Sequence, residues 1–358
     1  MAPELANRPV AHVNLDAIQR NLDLARRLAP RSKVMAVVKS NAYGHGVISV
    51  CNAILGVDAF AVARVNEGLE LREAGIELPV YVLQGFLDTT ELDACRISRL
   101  VPMLHSPFQV ECLKASRHRD MAVWIKIDTG MHRLGFSPED FRLGMTGGER
   151  LNVVGVMSHL ANADQPDHPE NAAQIEIFND LTRDLDCELS IANSGGILNL
   201  PDSHFDWIRP GIMLYGGSPS GVTDPMLSPA MSLTAPILAI NSVTKGDSIG
   251  YGSSWYAKRD TRVAVIGIGY ADGYPRERAN DTPVLVGGER RYIVGRTSMD
   301  MMFVEIEQDD AVSPGDSVTL WGDGLSIDDV GSAVGTIGYT LVSRLTPRVR
   351  RDFVRDAH

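Results

Sequence analysis

The sequence predicts an α/β protein: an N-terminal (β/α)8 TIM-like barrel followed by a C-terminal mostly-β domain. Three observations carry that expectation. Short apolar, β-branched runs recur through the first two thirds of the chain, at residues 34–39, 57–62, 80–84, 100–104, 121–127, 153–158, 188–192 and 205–208. Stretches of helical spacing lie between most of them, and near Ser228-Pro229 the pattern changes. Strands that alternate with amphipathic helices build a parallel sheet covered by helices, and eight of them suit a closed barrel. A doubly wound open sheet competes, because the eighth run is the weakest.

The helical stretches show one apolar face each. Residues 14–28 align Leu15, Ile18, Leu22, Ala25 and Leu28 at intervals of three and four, and residues 66–74 and 171–185 read the same way. Beyond residue 230 the runs 231–240, 262–268, 283–286, 301–306 and 317–321 are separated by glycine turns, and only 326–334 reads as helix. The expected domains are therefore 1–230, a barrel, and 231–358, a β-rich domain.

Composition excludes several classes. Lys plus Arg is 34 and Asp plus Glu is 45, for a net charge of −11. Nucleic acid and anionic membrane surfaces call for a basic face, so neither is an expected partner. No apolar stretch approaches the ~18 residues that span a bilayer, and no secretory signal is visible. Cys51, Cys95, Cys112 and Cys187 form no CxxC pair, which fits reduced thiols in a cytoplasmic protein. No metal-ligand pattern is expected.

Polar clusters follow the strand-like runs. The first is Lys39-Ser-Asn-Ala-Tyr43-Gly-His-Gly. The C-terminal ends of barrel strands form the active face, and partial burial there lowers an amine's pKa, readying Lys39 to form an imine with an aldehyde. A snorkelling lysine beside a packed tyrosine is the plain alternative. The others are Lys126-Ile-Asp-Thr-Gly-Met-His-Arg133, Ser158-His159, Asn193-Ser194-Gly-Gly and Arg209-Pro-Gly211-Ile212. Glycine allows close backbone approach to a phosphate, and the loops after barrel strands seven and eight commonly hold one. Each cluster alone is no more than a turn; five at the same end of successive strands point to a site.

These segments, with Gly250-Tyr251-Gly, Ile268-Gly-Tyr270-Ala-Asp-Gly, Gly295-Arg-Thr-Ser-Met299-Asp300 and Thr336-Ile-Gly-Tyr339, resemble the alanine racemase family in order and over nearly the whole chain. The resemblance implies pyridoxal 5′-phosphate as cofactor, interconversion of L- and D-alanine for cell-wall synthesis or catabolism, and a homodimer with shared active sites. It implies that Lys39 carries the cofactor. Tyr43, Ser194, Gly211, Ile212 and Tyr339 surround its phosphate, beside Asn193, and Arg209 faces its ring nitrogen with His159 near the ring. Arg133 and Met299 bind the substrate carboxylate, Tyr270 narrows the entrance, Asp300 adjoins Met299, and Tyr251 comes from the partner subunit. Ser298 stands where some members carry cysteine.

Racemisation needs proton transfer on both faces of a planar carbanion, so two bases are expected, Lys39 and Tyr251. Phenolate at Tyr251 needs cationic support, for which His159 with Arg209 is the candidate. Lys126 is either carbamylated, as the matching lysine is in some relatives, or a buried neutral or ion-paired lysine. Two other functions compete. A decarboxylase of the same architecture normally sets an acidic residue at the ring nitrogen, where this chain offers Arg209. A non-catalytic carrier lacks the β-domain, Tyr251 and Tyr339.

Overall fold

The computed structural model describes residues 8–144, 151–276 and 280–356. They form two compact units: Gln19–Ala42 with Gly46–Leu214, and the described residues of Met1–Ile18, Tyr43–His45 and Tyr215–His358.

The first elements among the described residues are β1 (Val10–Asn14) and α1 (Leu15–Leu28). Asn14 Oδ1 accepts the Ala17 N–H at 3.0 Å and starts the helix. Arg26 and Arg27 in the last turn suit its negative end. Ile18, Leu22 and Ala25 are fully buried, as their spacing predicts.

The first unit is the barrel. Its strands are β2 (Lys33–Val37), β3 (Ala59–Val62), β4 (Val80–Val82), β5 (Leu100–Leu104), β6 (Val123–Lys126), β7 (Val153–Met157), β8 (Glu188–Ser190) and β9 (Trp207–Ile208). Each falls within one of the eight predicted runs, save that β2 starts one residue earlier. All neighbours pair in parallel, in the order β8-β7-β6-β5-β4-β3-β2-β9. Between β8 and β9 the ring is joined by single bonds, Arg209 N–H to Ala192 O at 3.0 Å and Ser190 Oγ to Trp207 O at 2.8 Å. The barrel is thus nearly closed, and the open sheet is not what forms.

The connecting elements are α2 (Lys39–Tyr43), α3 (Val47–Ala53), α4 (Val65–Glu73), α5 (Thr89–Ile97), α6 (Pro107–Ala115), α7 (Pro138–Arg142), α8 (Pro169–Thr182) and α9 (Ser194–Asn199). The first, α2, is a left-handed turn: Ser40, Asn41, Ala42 and Tyr43 have φ of 54°, 55°, 53° and 51°. Within the barrel, Tyr81, Trp124 and Trp207 pack edge to face with centroids 5.7–6.3 Å apart. Gly155 leaves room for Trp124, since a Cβ there would lie 2.4 Å from the indole.

The second unit is a sheet. Its strands are β10 (Met231–Val243), β11 (Ser248–Ile249), β12 (Trp255–Tyr256), β13 (Thr261–Ile266), β14 (Pro283–Val286), β15 (Glu289–Val294), β16 (Met302–Ile306) and β17 (Ser317–Trp321). Then follow α10 (Ile327–Val334), α11 (Gly338–Ser343) and β18 (Arg350–Val354). The order β13-β16-β15-β14-β17-β10 closes on itself through a β10–β13 pairing, with a bulge between Ile237 and Ala239 where β10 changes partners. β1 extends this sheet, antiparallel to β10 and parallel to β18. The opening strand therefore belongs with sequence that lies more than 200 residues away.

Gly155→Ala should crowd the rigid indole of Trp124. Overpacking of this kind costs about 1–3 kcal/mol, so calorimetry should show a lower melting temperature for the variant.

Candidate active site

Strand ends assemble the site within the barrel unit. Lys39 follows β2, Lys126 ends β6, His159 follows β7 and Arg209 follows β9, all at the C-terminal rim. Arg209 is 3% exposed. Its Nη1 donates to Ser190 Oγ at 2.5 Å, and its Nη2 to Ser158 O at 2.6 Å, Ile191 O at 3.2 Å and His159 Nδ1 at 3.2 Å. Burial pushes its pKa down to about 9, still protonated at neutral pH.

That fixed cation governs its neighbours. Burial, then Arg209, Lys126, Arg133 and Lys39, hold His159 well below the ordinary imidazole value. Neutral imidazole is also what the hydrogen bond requires, since Nδ1 must accept from Arg209. His159 therefore brings no charge of its own, and any cationic support it passes on comes from Arg209. Lys126 is pushed down to about 8 by burial, Arg209 and Arg133, with Asp128 opposing. Lys39 is lowered by burial and Arg133, with Glu67 opposing. Arg133 itself is exposed.

The loops carrying these side chains are braced. Asp128 Oδ1 accepts the N–H groups of Gly130, Met131 and His132, each at 3.0 Å, shaping the turn before Arg133. Gln174 on α8 donates to His159 O at 3.1 Å and accepts from Ala161 N at 2.9 Å. Asn193 caps α9 by accepting the Gly196 N–H at 3.0 Å and donates to Leu160 O at 3.2 Å, while its Nδ2 also lies 3.5 Å from His159 Nε2. Ser194 Oγ accepts the Gly211 N–H at 2.9 Å, which leaves its hydroxyl proton free to donate. Ile212 is buried beside it in sequence. Gly195 and Gly196 are demanded by packing: Cβ atoms there would lie 2.5 Å from Ala163 O and 2.9 Å from Ser203 Oγ. Glu67 and Gln174 were not anticipated as site residues; Glu67 lies just past the second strand run, where its side chain had no motif to announce it.

The remaining expected residues lie in the sheet unit. Tyr43 is buried, stacks on Tyr215 with centroids 4.9 Å apart, and tilts against Tyr339 at 6.1 Å. Burial raises its hydroxyl pKa, so it is a neutral hydroxyl at physiological pH. Tyr270 N–H bonds Ser298 O at 3.1 Å, and Ala271 N–H bonds Met299 O at 3.0 Å, which joins those two loops. Asp300 is ion-paired with Arg348 at 2.7 Å. Tyr251 is 68% exposed on this chain.

Four cations, Lys39, Lys126, Arg133 and Arg209, thus interact at one rim, opposed there by the carboxylates of Glu67 and Asp128. Such a donor set suits a small polyanion bearing an amine-reactive carbonyl. Fold and residues together define a class: an α/β-barrel protein with a cationic strand-end rim and an added, mostly antiparallel sheet unit.

Comparison with known proteins narrows the class. The family models "Alanine racemase, N-terminal domain" and "Alanine racemase, C-terminal domain" match residues 13–219 and 230–353. The alanine racemase of Shewanella sediminis is 44% identical over 351 residues, 95% of this chain and 98% of that one. The biosynthetic alanine racemase of Pseudomonas aeruginosa superposes with a TM-score of 0.93 at 41% identity, over 97% of this chain and 99% of that chain. An alanine racemase of Bartonella henselae, solved with covalently bound pyridoxal phosphate, gives 0.90 at 31% identity, over 97% and 99%. The chain belongs to the alanine racemase family.

An amine lowered to about 8 is charged in the cofactor-free fold at neutral pH, against the preference of its surroundings. The unfolded chain holds that proton up to about 10.4, so stability should rise with pH between the two values. In carbonate-free buffer, Lys126→Met should raise the melting temperature of the cofactor-free protein at neutral pH. The gain should fade as pH climbs from about 8 toward the unfolded value.

Proposed function

We propose that this protein interconverts L- and D-alanine, with pyridoxal 5′-phosphate carried on Lys39. The observation that carries the reading is a lysine of lowered basicity at a barrel-strand end, on the same rim as a buried arginine that can only donate. The donor set fits the cofactor: the amine for its aldehyde, the free hydroxyl proton of Ser194 and the neighbouring Gly211 and Ile212 for its phosphate, and Arg209 for its ring nitrogen. Tyr43 and Tyr339 complete the phosphate-binding group, and Asn193 holds the loop that bears Ser194. When bound, the cofactor supplies the conjugated system that spreads the charge left by loss of the α-proton.

The chain's own groups do the rest. Lys39 Nζ takes or returns the α-proton on one face. Tyr251 Oη serves the other face, supplied by a second copy of the chain, consistent with its exposure here. Arg209 remains protonated and so cannot accept a proton; it limits charge withdrawal into the ring and thereby discourages transamination. His159, held neutral with its proton on Nε2, links Arg209 toward Tyr251. Arg133 and the Met299 backbone receive the substrate carboxylate, with Asp300 beside them, and Tyr270 with Tyr339 restricts the side chain to a small one. Residues 1–230, apart from β1, Tyr43–His45 and the segment from Tyr215, which group with the sheet, act as the cofactor domain, and 231–358 as the domain that supplies Tyr251. The protein would act as a cytoplasmic homodimer: four free cysteines fit a reducing compartment, and the exposure of Tyr251 fits its use by a second copy. The decarboxylase alternative lacks its acidic partner for the ring nitrogen, the position being held by Arg209.

Incubation with L-alanine and the cofactor should yield D-alanine and no carbon dioxide, read by chiral chromatography and gas evolution. Tyr251→Phe should slow α-proton exchange from one enantiomer by about 10²–10⁴-fold and Lys39→Ala from the other; equal loss from both in Tyr251→Phe contradicts two bases. Mixing the two inactive variants should restore activity that neither shows alone, because a mixed dimer regains one intact site. Failure of complementation, with mixed dimers demonstrated by mass, removes the shared site.

A further inference from the structure

Lys39 does not sit on regular backbone. It opens the left-handed turn of Ser40 to Tyr43, where four successive non-glycine residues have φ between 51° and 55°. For L-residues that conformation is strained by the close approach of Cβ to the following carbonyl, so the turn persists only if neighbouring groups over-determine it. Asn41 Oδ1 accepts the Val47 N–H at 2.7 Å on the far side of the turn. On the near side stands Glu67, at the start of α4. Its Oε1 accepts the Ser40 N–H at 2.7 Å, while its Oε2 accepts Ala63 N–H at 2.7 Å and Arg64 N–H at 3.0 Å. Both oxygens are therefore spent on backbone, tying the residue after Lys39 to the loop that leaves β3.

We propose that Glu67 is the positioning residue for Lys39: one carboxylate clamps the left-handed turn that aims the amine and supplies the negative charge that opposes its cationic neighbours. The proposal rests on Lys39 being the cofactor-bearing lysine and goes beyond it by naming what holds that lysine. The groups that face Lys39 are Arg133 from the loop after β6, Lys126 at the end of β6, His159 after β7, and Glu67. Glu67 is the anion among them. A carboxylate is required rather than an amide, because three N–H donors converge on two oxygens, and an amide would set its own NH2 against at least one of them.

Two variants separate the roles. Glu67→Gln removes the charge and one acceptor; Glu67→Asp keeps the charge and shortens the reach. The full chain, freed of cofactor, is reductively methylated with ¹³C-formaldehyde, and the Lys39 resonance, assigned by its loss in Lys39→Arg, is titrated. Its midpoint should move to lower pH in Glu67→Gln and stay in place in Glu67→Asp, which a merely structural carboxylate would not produce. Pyridoxal phosphate is then added to each unmethylated protein, and its capture at Lys39 is trapped with borohydride and read by peptide mass. Capture at high pH, where the amine is neutral, should slow on the order of 10- to 100-fold in both variants. Superimposable titrations and capture rates in wild type and both variants overturn the proposal, even where melting temperatures differ. Absence of label at Lys39 in the wild-type protein instead overturns the cofactor reading, and the methyl titration still decides what Glu67 does.

Discussion

The structure turns on one buried cation. Arg209 places a guanidinium inside the rim of the barrel, which is tolerated only because donors are matched to acceptors: Ser190 Oγ, two strand-end carbonyls and an imidazole nitrogen. The consequence spreads outward. His159 must be neutral to accept from it, Lys126, already weakened as a base by its own burial, is weakened further by it, and the rim carries a surplus of positive charge that favours a bound anion. The electrostatic character of the site is thus set before any ligand arrives, and it follows from closing the ring between β8 and β9 at this residue.

The rim loops make that arrangement rigid. Gln174, Asn193 and Asp128 each spend a side chain on backbone groups rather than on a ligand. Glu67 does the same for the turn after Lys39. Catalytic side chains held on loops lose precision unless their supports are themselves bonded, and here each support reaches at least two backbone atoms. The sheet unit shows an equivalent economy. The short segment Tyr43–His45 is fixed by stacking on Tyr215, by Arg351 Nε donating to Gly44 O at 2.6 Å, and by a close approach to Val342 that leaves no room for a Cβ at Gly44.

Much of the barrel was legible because its strands are buried on both faces and its helices on one. Runs such as Ala-Phe-Ala-Val and Val-Trp-Ile-Lys read as strands without knowledge of their partners, and even the two-residue β9 fell where expected. The sheet unit was less legible. β1 is five residues of mixed polarity, stabilised by pairing with β10 and β18 from the other end of the chain, and no local pattern reports such a partner. β15 was hidden for a related reason: Glu-Arg-Arg-Tyr-Ile-Val is half charged, and its exposed face carries the charges.

For the site, chemistry and geometry divide cleanly. Which residue types stand at strand ends is written in local order alone, and so are the lysine, arginine and glycine-bearing motifs by which the family is recognised. The burial of Arg209, the neutrality of His159, the capping role of Asn193 and the left-handed turn after Lys39, clamped by Glu67, arise only once the chain has folded. Protonation state and backbone strain depend on which groups lie within a few ångströms in space, and that neighbourhood is assembled from five separate strand ends.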